Sequence, residues 1–364
     1  MSPRRFPRSA LTPRLLSACA CLLLLVATQL RAETVELYTW HSYWGEEVLG
    51  QFEVESGHQL RRSYFDDESV RDAVITSGRY QGFDIVVMDA LTLQIVSEHG
   101  LFADLSSLND DIGADNFDPR WRQACGVHGV PYTYGALGML YRKSVAAEPL
   151  RSWRQLFVPP PEHRGRVVMF MDNIDTSAAA LLAGGAPPYS EDVAELRQAY
   201  GLMRQQQRHL LARNYGLSYA SEHGLASQMS LTFGYSSDEL ELRELTGQED
   251  WTFLIPEEGT LLWADCLAVP SGSPASAATR DFLAFISRPA VAARNAEAIG
   301  YATANRSALP LIDESTRGDE QVFLSESILR EVPVVPRLTV PAVRLRNRMV
   351  HAVVVDAQAG VVAP

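Results

Sequence analysis

Phe83-Asp84-Ile85-Val86-Val87-Met88 is the stretch on which the fold turns. Its last four residues are apolar without interruption, so a strand here presents no wet face and is buried on both sides. That is the habit of a parallel sheet covered by helices, and the flanking sequence agrees. A β-rich run at 35–39 leads to helical spacing over 46–55 that stops at Gly57, and a strand at 60–64 leads to a helix at 69–76. Residues 130–141 are extended and carry Gly135 and Gly138, while 166–171, 229–233, 252–255 and 261–269 read as strands. A long helix is expected over 191–211, with acids near its start and basic residues near its end. Two more are expected at 279–287 and 290–299, separated by Pro289, and 152–157 with the prolines at 159–161 reads as a surface connection. The tail from Val332, apolar and broken by prolines, takes no assignment. Strands and helices alternating without repeats or long linkers make an α/β protein.

Arg4, Arg5, Arg8 and Arg14 precede an apolar run at 15–30, and Leu30-Arg31-Ala32 can serve as a cleavage site, the pattern of a secretory leader. Leu16-Ser17-Ala18-Cys19 has the look of a lipoprotein box, but the apolar core continues past Cys19. Export with cleavage near Ala32, leaving 1–32 as the signal peptide, is therefore the expectation. No later stretch approaches the ~20 apolar residues of a spanning helix, so the processed protein is expected to be soluble. Losing five arginines and no acid takes the net charge from −12 to −17. Such a surface repels nucleic-acid phosphates and attracts small cations, although acidity also serves plain solubility. About 330 residues remain, more than one core holds and suited to two lobes. Two cysteines remain, Cys125 and Cys266. An isolated pair in an oxidising compartment often joins, but the sequence supplies no geometry and the bond stays open.

Residues 259–270 read Gly-Thr-Leu-Leu-Trp-Ala-Asp-Cys-Leu-Ala-Val-Pro. Trp263 and Asp265 lie two apart in an apolar run, so a strand points both to one face. A buried carboxylate needs a cation, and an indole face beside it is a second cation partner. The same pairing recurs just after other strand-like segments, where α/β sheets place their ligands. Trp40, His41, Ser42 and Tyr43 follow the first strand, Asp89 follows 83–88, and Asp172 and Asp175 follow 166–171. Tyr235 and Asp238 follow 229–233, and Tyr301 follows the helix ending at Ile299. Singly, each has a dull reading: Trp40 and Tyr43 as core, Asp172 as a helix cap. Together they describe a crevice for an organic ammonium chain, with carboxylates for its nitrogens and aromatic walls for its methylenes.

Catalytic signatures are thin. There is no phosphate-binding Gly-Lys-Ser/Thr loop, no Gly-x-Ser-x-Gly elbow and no His-Glu-x-x-His helix. Asp172 and Asp175 could serve as glycosidase carboxylates, but three residues apart after a strand they look more like a charge clamp. The eight histidines lack metal-ligand spacing, so no metal and no cofactor is expected.

At these residues the chain resembles the periplasmic spermidine/putrescine-binding proteins, the substrate-capturing subunits of polyamine ABC transporters. The resemblance runs from Leu37-Tyr38-Thr39-Trp40 to about Leu309. It is carried by Tyr38, Trp40 and Tyr43, by residues 83–87, by Val130-Pro131-Tyr132-Thr133-Tyr134-Gly135, by Ile255-Pro256-Glu257-Glu258-Gly259 running into Trp263 and Asp265, and by Ile299-Gly300-Tyr301-x-Thr303-x-Asn305. It implies the type II two-lobe periplasmic-binding fold with a hinge, residues 33–135 and 266–310 forming lobe 1 and 136–265 and 311–364 lobe 2. The implied ligand contacts are Trp40, His41, Ser42, Tyr43, Asp89, Asp172, Asp175, Tyr235, Asp238, Trp263, Asp265 and Tyr301, with Asp265 the principal ammonium partner. Asp89 and Leu91 stand where the family commonly has a small hydroxyl residue and an aromatic, and Tyr235 where it has tryptophan.

The resemblance implies a periplasmic protein without catalysis that hands a polyamine to an inner-membrane ABC permease. Three other readings stay open: a sensor that reports polyamine to a membrane receptor, a binder of another cationic solute, and an exported hydrolase using Asp172 and Asp175.

Overall fold

The computed structural model describes residues 32–65, 68–80, 82–222, 226–272, 276–332, 334 and 338–358. The segment expected as a leader, apart from Ala32, and the lipoprotein-like box lie outside the described residues. Among the described residues, ten strands form one mixed sheet: β1 (Thr34–Thr39), β2 (Gln59–Tyr64), β3 (Ile85–Asp89), β4 (Gly129–Arg142), β5 (Val167–Val168), β6 (Leu210–Ala212), β7 (Leu231–Tyr235), β8 (Trp251–Leu254), β9 (Leu262–Ala268) and β10 (Ala302–Thr303). Their order is β2-β1-β3-β9-β4-β7-β5-β6, with β8 and β10 also pairing with β4.

β4 holds the architecture together because it changes partners along its length. Residues 129–136 pair antiparallel with β9, whereas Leu137 onward pairs with β7 and then β8. On the first side β1 runs parallel to β2 and β3; on the second, β5 runs parallel to β6 and β7. Each side has its own apolar core. Val35, Leu37 and Ile85–Met88 anchor the first, and Met139, Trp153, Phe157, Val167, Met203 and Phe233 the second. Sequence and packing agree here: strands apolar on both faces sit between helices.

Capping accounts for several boundaries. Gly57 at φ 74° ends the helix Glu46–Ser56, and Gly300 at φ 70° ends Pro289–Ile299, both in the left-handed region where glycine carries no steric cost. Asp89 and Asp172 accept backbone N–H groups at the starts of Ala90–Ser97 and Asn173–Ala183.

Four expectations need correction. The helix expected over 191–211 runs only from Val193 to Gln206, since Leu210–Ala212 finds a parallel partner in β5. The strand expected over 166–171 shrinks to Val167–Val168. The stretch 152–157 is no surface connection, because Trp153, Leu156 and Phe157 are fully buried in the second core. The unassigned tail contains the helix Val340–Gln358, which packs on Asn173–Ala183 and Val193–Gln206. Its buried Arg346 donates to Ser177 Oγ at 2.7 Å and to the carbonyls of Pro188 and Ser190. Upstream of it, Val322, Phe323 and Leu324 join the first core.

Cys125 and Cys266 are joined, with Cα atoms 5.8 Å apart and a separation of 141 in sequence. Among the described residues, no helix is long and apolar enough to cross a membrane.

Candidate ligand-binding site

Asp265 sits on β9 between two neighbours, in register with Asp89 of β3 and Thr133 of β4, and is 6% exposed. Tyr43 donates its hydroxyl to Asp265 Oδ2 at 2.6 Å and lies 2.8 Å from Thr133 Oγ1. The turn that delivers Tyr43 is held from both ends. Ser42 before it adopts φ 54°, a conformation non-glycine residues seldom take and one that concentrates at functional sites. Behind it, Tyr132 donates to the Tyr43 carbonyl at 2.6 Å and receives the Asn295 amide at 2.8 Å.

Aromatic rings continue from Tyr43 toward the second core. Tyr43 meets Tyr301 at 5.1 Å between centroids, Tyr301 meets Trp263 at 5.8 Å, and Trp263 meets Tyr235 at 5.8 Å, all edge to face. Trp263 lies across Gly135, where a Cβ would come 2.7 Å from its Cζ2, so the indole needs a bare backbone beneath it. Its Nε1, over the same glycine, is buried without a hydrogen-bond partner.

Tyr235 leads to the second group of acids. Its hydroxyl donates to Asp175 Oδ2 at 3.1 Å. Asp172 spends Oδ1 on the N–H groups of Ile174 and Asp175, at 2.7 Å each. Asp238 faces inward: Tyr215 Oη at 2.6 Å and the Tyr235 N–H at 2.8 Å both donate to its Oδ2, while its buried Oδ1 has no hydrogen-bond partner. It thus braces Tyr215 and Tyr235 from behind.

Three predicted residues stand at the edge. Trp40 is half-buried and packs on Phe65 at 4.4 Å, whereas His41 and Ser42 are exposed, His41 stacking on Tyr64 at 3.8 Å. Asp89, expected as a ligand contact, is already engaged on both oxygens. Thr92 N–H donates to Oδ1 at 2.7 Å and Arg71 to Oδ2 at 2.6 Å.

Arg71 and Glu68 escaped the sequence reading. Arg71 is fully buried and lies 3.7 Å from Glu68, whose side chain is 37% exposed. The available signal was a lone arginine in an acidic stretch, with Glu68 and Asp72 beside it and Phe65 just upstream.

With so many acids gathered, ionising them is costly. Burial raises the Asp265 carboxyl to about 6, against the opposing Tyr43 hydrogen bond and with Asp89 adding to the rise. Burial and the neighbouring Asp172 raise Asp175 to about 8. Asp172 is raised by burial against its backbone hydrogen bonds, and Glu68 rises through desolvation and then the nearby Asp89. Glu68 also feels Asp172 and Asp265, so acids from both sides of the β4 changeover share one field. A bound organic cation would relieve it. Among the described residues, no group of three or more His, Cys, Asp or Glu is placed to hold a metal ion.

The family model of the bacterial extracellular solute-binding proteins matches residues 48–321. A norspermidine sensor of Vibrio cholerae is 33% identical over 90% of this chain and 90% of its own length. The putrescine-binding periplasmic protein SpuD of Pseudomonas aeruginosa is 24% identical over 87% of this chain and 90% of its own. Among solved structures, a spermidine/putrescine ABC transporter substrate-binding protein from Streptococcus pneumoniae superposes with a TM-score of 0.73 at 20% identity, covering 90% of this chain and all of that one.

Proposed function

The chain belongs to the bacterial extracellular solute-binding proteins, and on that premise we propose that it captures a polyamine of the putrescine/spermidine class between two lobes and delivers it to an inner-membrane ABC transporter. The observation that carries this reading is the unbroken run of rings from Tyr43 through Tyr301 and Trp263 to Tyr235, with Asp265 at one end and Asp175 at the other. A methylene chain with an ammonium group at each end matches a run of rings with a carboxylate at each end. Each desolvated carboxylate–ammonium contact contributes on the order of 1.5–3 kcal/mol, so three of them with stacking reach about micromolar affinity or better.

In this reading the lobes meet where β4 exchanges β9 for β7 and close by a hinge. The leader is removed near Ala32 and the protein works in the periplasm. Asp172 and Asp175 act as charge partners, with no chemical step. A thermal-shift panel of putrescine, cadaverine, spermidine, norspermidine and spermine, with arginine and neutral osmolytes as controls, tests it. A ligand at a hundred times its dissociation constant adds about 2.7 kcal/mol of stability, a visible rise in Tm. A flat panel would end the polyamine reading.

A second reading keeps the ligand and changes the output: the protein reports polyamine to a membrane-bound receptor. The greater identity to the norspermidine sensor, 33% against 24% for the putrescine-binding relative, favours it. Affinity capture from detergent-solubilised membranes, with and without amine, separates a permease partner from a receptor.

A further inference from the structure

Arg71 is a cation buried among the acids of the candidate site. Its guanidinium donates to Asp89 at 2.6 Å and Asp72 at 2.9 Å, lies 3.7 Å from Glu68, and reaches the Val87 carbonyl at 3.5 Å. It also stands 5.4 Å over the Phe65 ring, which in turn packs on Trp40. Carboxylates at the charge and an aromatic face beneath it are the surroundings that the cleft would give a ligand ammonium. Asp89 is directly opposite Asp265, so the guanidinium sits one residue pair from that buried acid. Asp172 adds to the field that raises the Glu68 carboxyl, after burial and Asp89.

We propose that Arg71 is a tethered stand-in for one ammonium group of the ligand, and so sets the amine the cleft prefers at one positive charge fewer than its carboxylates would otherwise take. The inference rests on the polyamine reading above. With Arg71 in place, both oxygens of Asp89 are engaged, and the ligand's charged nitrogens are confined to Asp265, Asp172 and Asp175. Without it, Asp89 and Glu68 recover their demand for a cation, which only a more highly charged amine meets.

Calorimetric titration of the processed chain with cadaverine, norspermidine and spermine tests this in the wild type, Arg71→Met, Arg71→Gln and the double variant Arg71→Met with Asp89→Ser. Arg71→Gln keeps an N–H for Asp89 while removing the charge, and serves if Arg71→Met does not fold. The expected result is a shift of about tenfold in relative affinity toward the amine with one more charge in either single variant, the worth of one charge-assisted contact. The double variant, with Asp89 no longer demanding a cation, returns toward the wild-type ratios. Folded Arg71→Met or Arg71→Gln with unchanged ratios overturns the proposal while leaving polyamine binding intact. A folded wild type that binds none of the three amines ends the polyamine reading itself, and this inference with it.

Discussion

Asp89 and Asp265 face each other directly across the antiparallel pair of β3 and β9. Like charges opposite one another on a sheet repel, and each is given its own answer. Asp89 pairs directly with the Arg71 guanidinium, whereas Asp265 accepts the Tyr43 hydroxyl and feels Arg71 only at a distance. The first charge is paired in the folded chain, and in the proposed function the second awaits a ligand's cation.

Replacing Asp265 by Asn removes that incomplete charge while keeping an oxygen for Tyr43. The ligand-free variant is expected to be more stable than the wild type at pH 7, by about 1 kcal/mol, the scale of a cross-strand pair, and to lose amine binding. Thermal melts with and without ligand check both halves. A variant less stable and still competent would contradict the assignment.

Tyr43→Phe deletes the 2.6 Å hydrogen bond that holds the Asp265 carboxyl down. Its pKa then rises further, so amine affinity is expected to fall on the order of tenfold at neutral pH, for a contact to a charged group worth about 1.5–3 kcal/mol. Because protonation competes with binding, the loss deepens as pH falls. Titrations at pH 6 and pH 8 read the difference.

The raised carboxyls also set the pH dependence of stability. A carboxyl whose pKa is higher folded than unfolded holds its proton more tightly in the folded chain, so this contribution is present at low pH and lost as pH rises. Ligand-free stability is therefore expected to decline from about pH 4, the ordinary carboxylate value, through about 6 for Asp265 and about 8 for Asp175. Saturating amine, which pairs with the ionised forms, should flatten the decline. Melts at pH 5.5 and 8 decide it, and a ligand-free Tm that rises across that interval would be the wrong sign.

Gly135→Ala places a methyl 2.7 Å from the Trp263 ring. The indole must move, at a cost of about 1–3 kcal/mol for overpacking, and the run from Tyr301 to Tyr235 is broken. Weaker amine binding with a quenched or shifted ligand-dependent tryptophan signal is the expected outcome, and unchanged affinity would remove Trp263 from the site.

Cys125→Ser with Cys266→Ser opens a crosslink between residues 141 apart, one of them next to Asp265. Loss of a disulfide from an exported protein commonly costs about 2–5 kcal/mol. Chemical denaturation of the double variant against the wild type measures it.

Much of this was legible because burial leaves a plain mark on sequence. The apolar run 85–88 announced a sheet covered on both faces, and acids and aromatics after strand-like segments marked the residues proposed for the site. What stayed hidden depends on partners distant in sequence. Arg71 and Asp89 are 18 residues apart, and nothing in the sequence ties the arginine to the predicted contact Asp89 until α/β packing closes them into a pair. The helical spacing of 191–211 gave no warning of a parallel partner for Leu210–Ala212. Prolines obscured the last helix, although Pro341 in its first turn lacks only an N–H that has no acceptor there. Nor could spacing reveal that Asp238 turns inward to Tyr215 while Asp175 meets Tyr235.

The most direct test of a cleft that closes on an organic amine through Asp265 is calorimetric titration of spermidine and norspermidine into the processed wild type and Asp265→Ala. The wild type should bind at least one of them with about micromolar affinity or better, and Asp265→Ala, folded and melting cooperatively, should bind it more weakly by about 2–4 kcal/mol, largely because an ammonium is left unpaired. Equal affinity in the two proteins would contradict the placement of the site at Asp265.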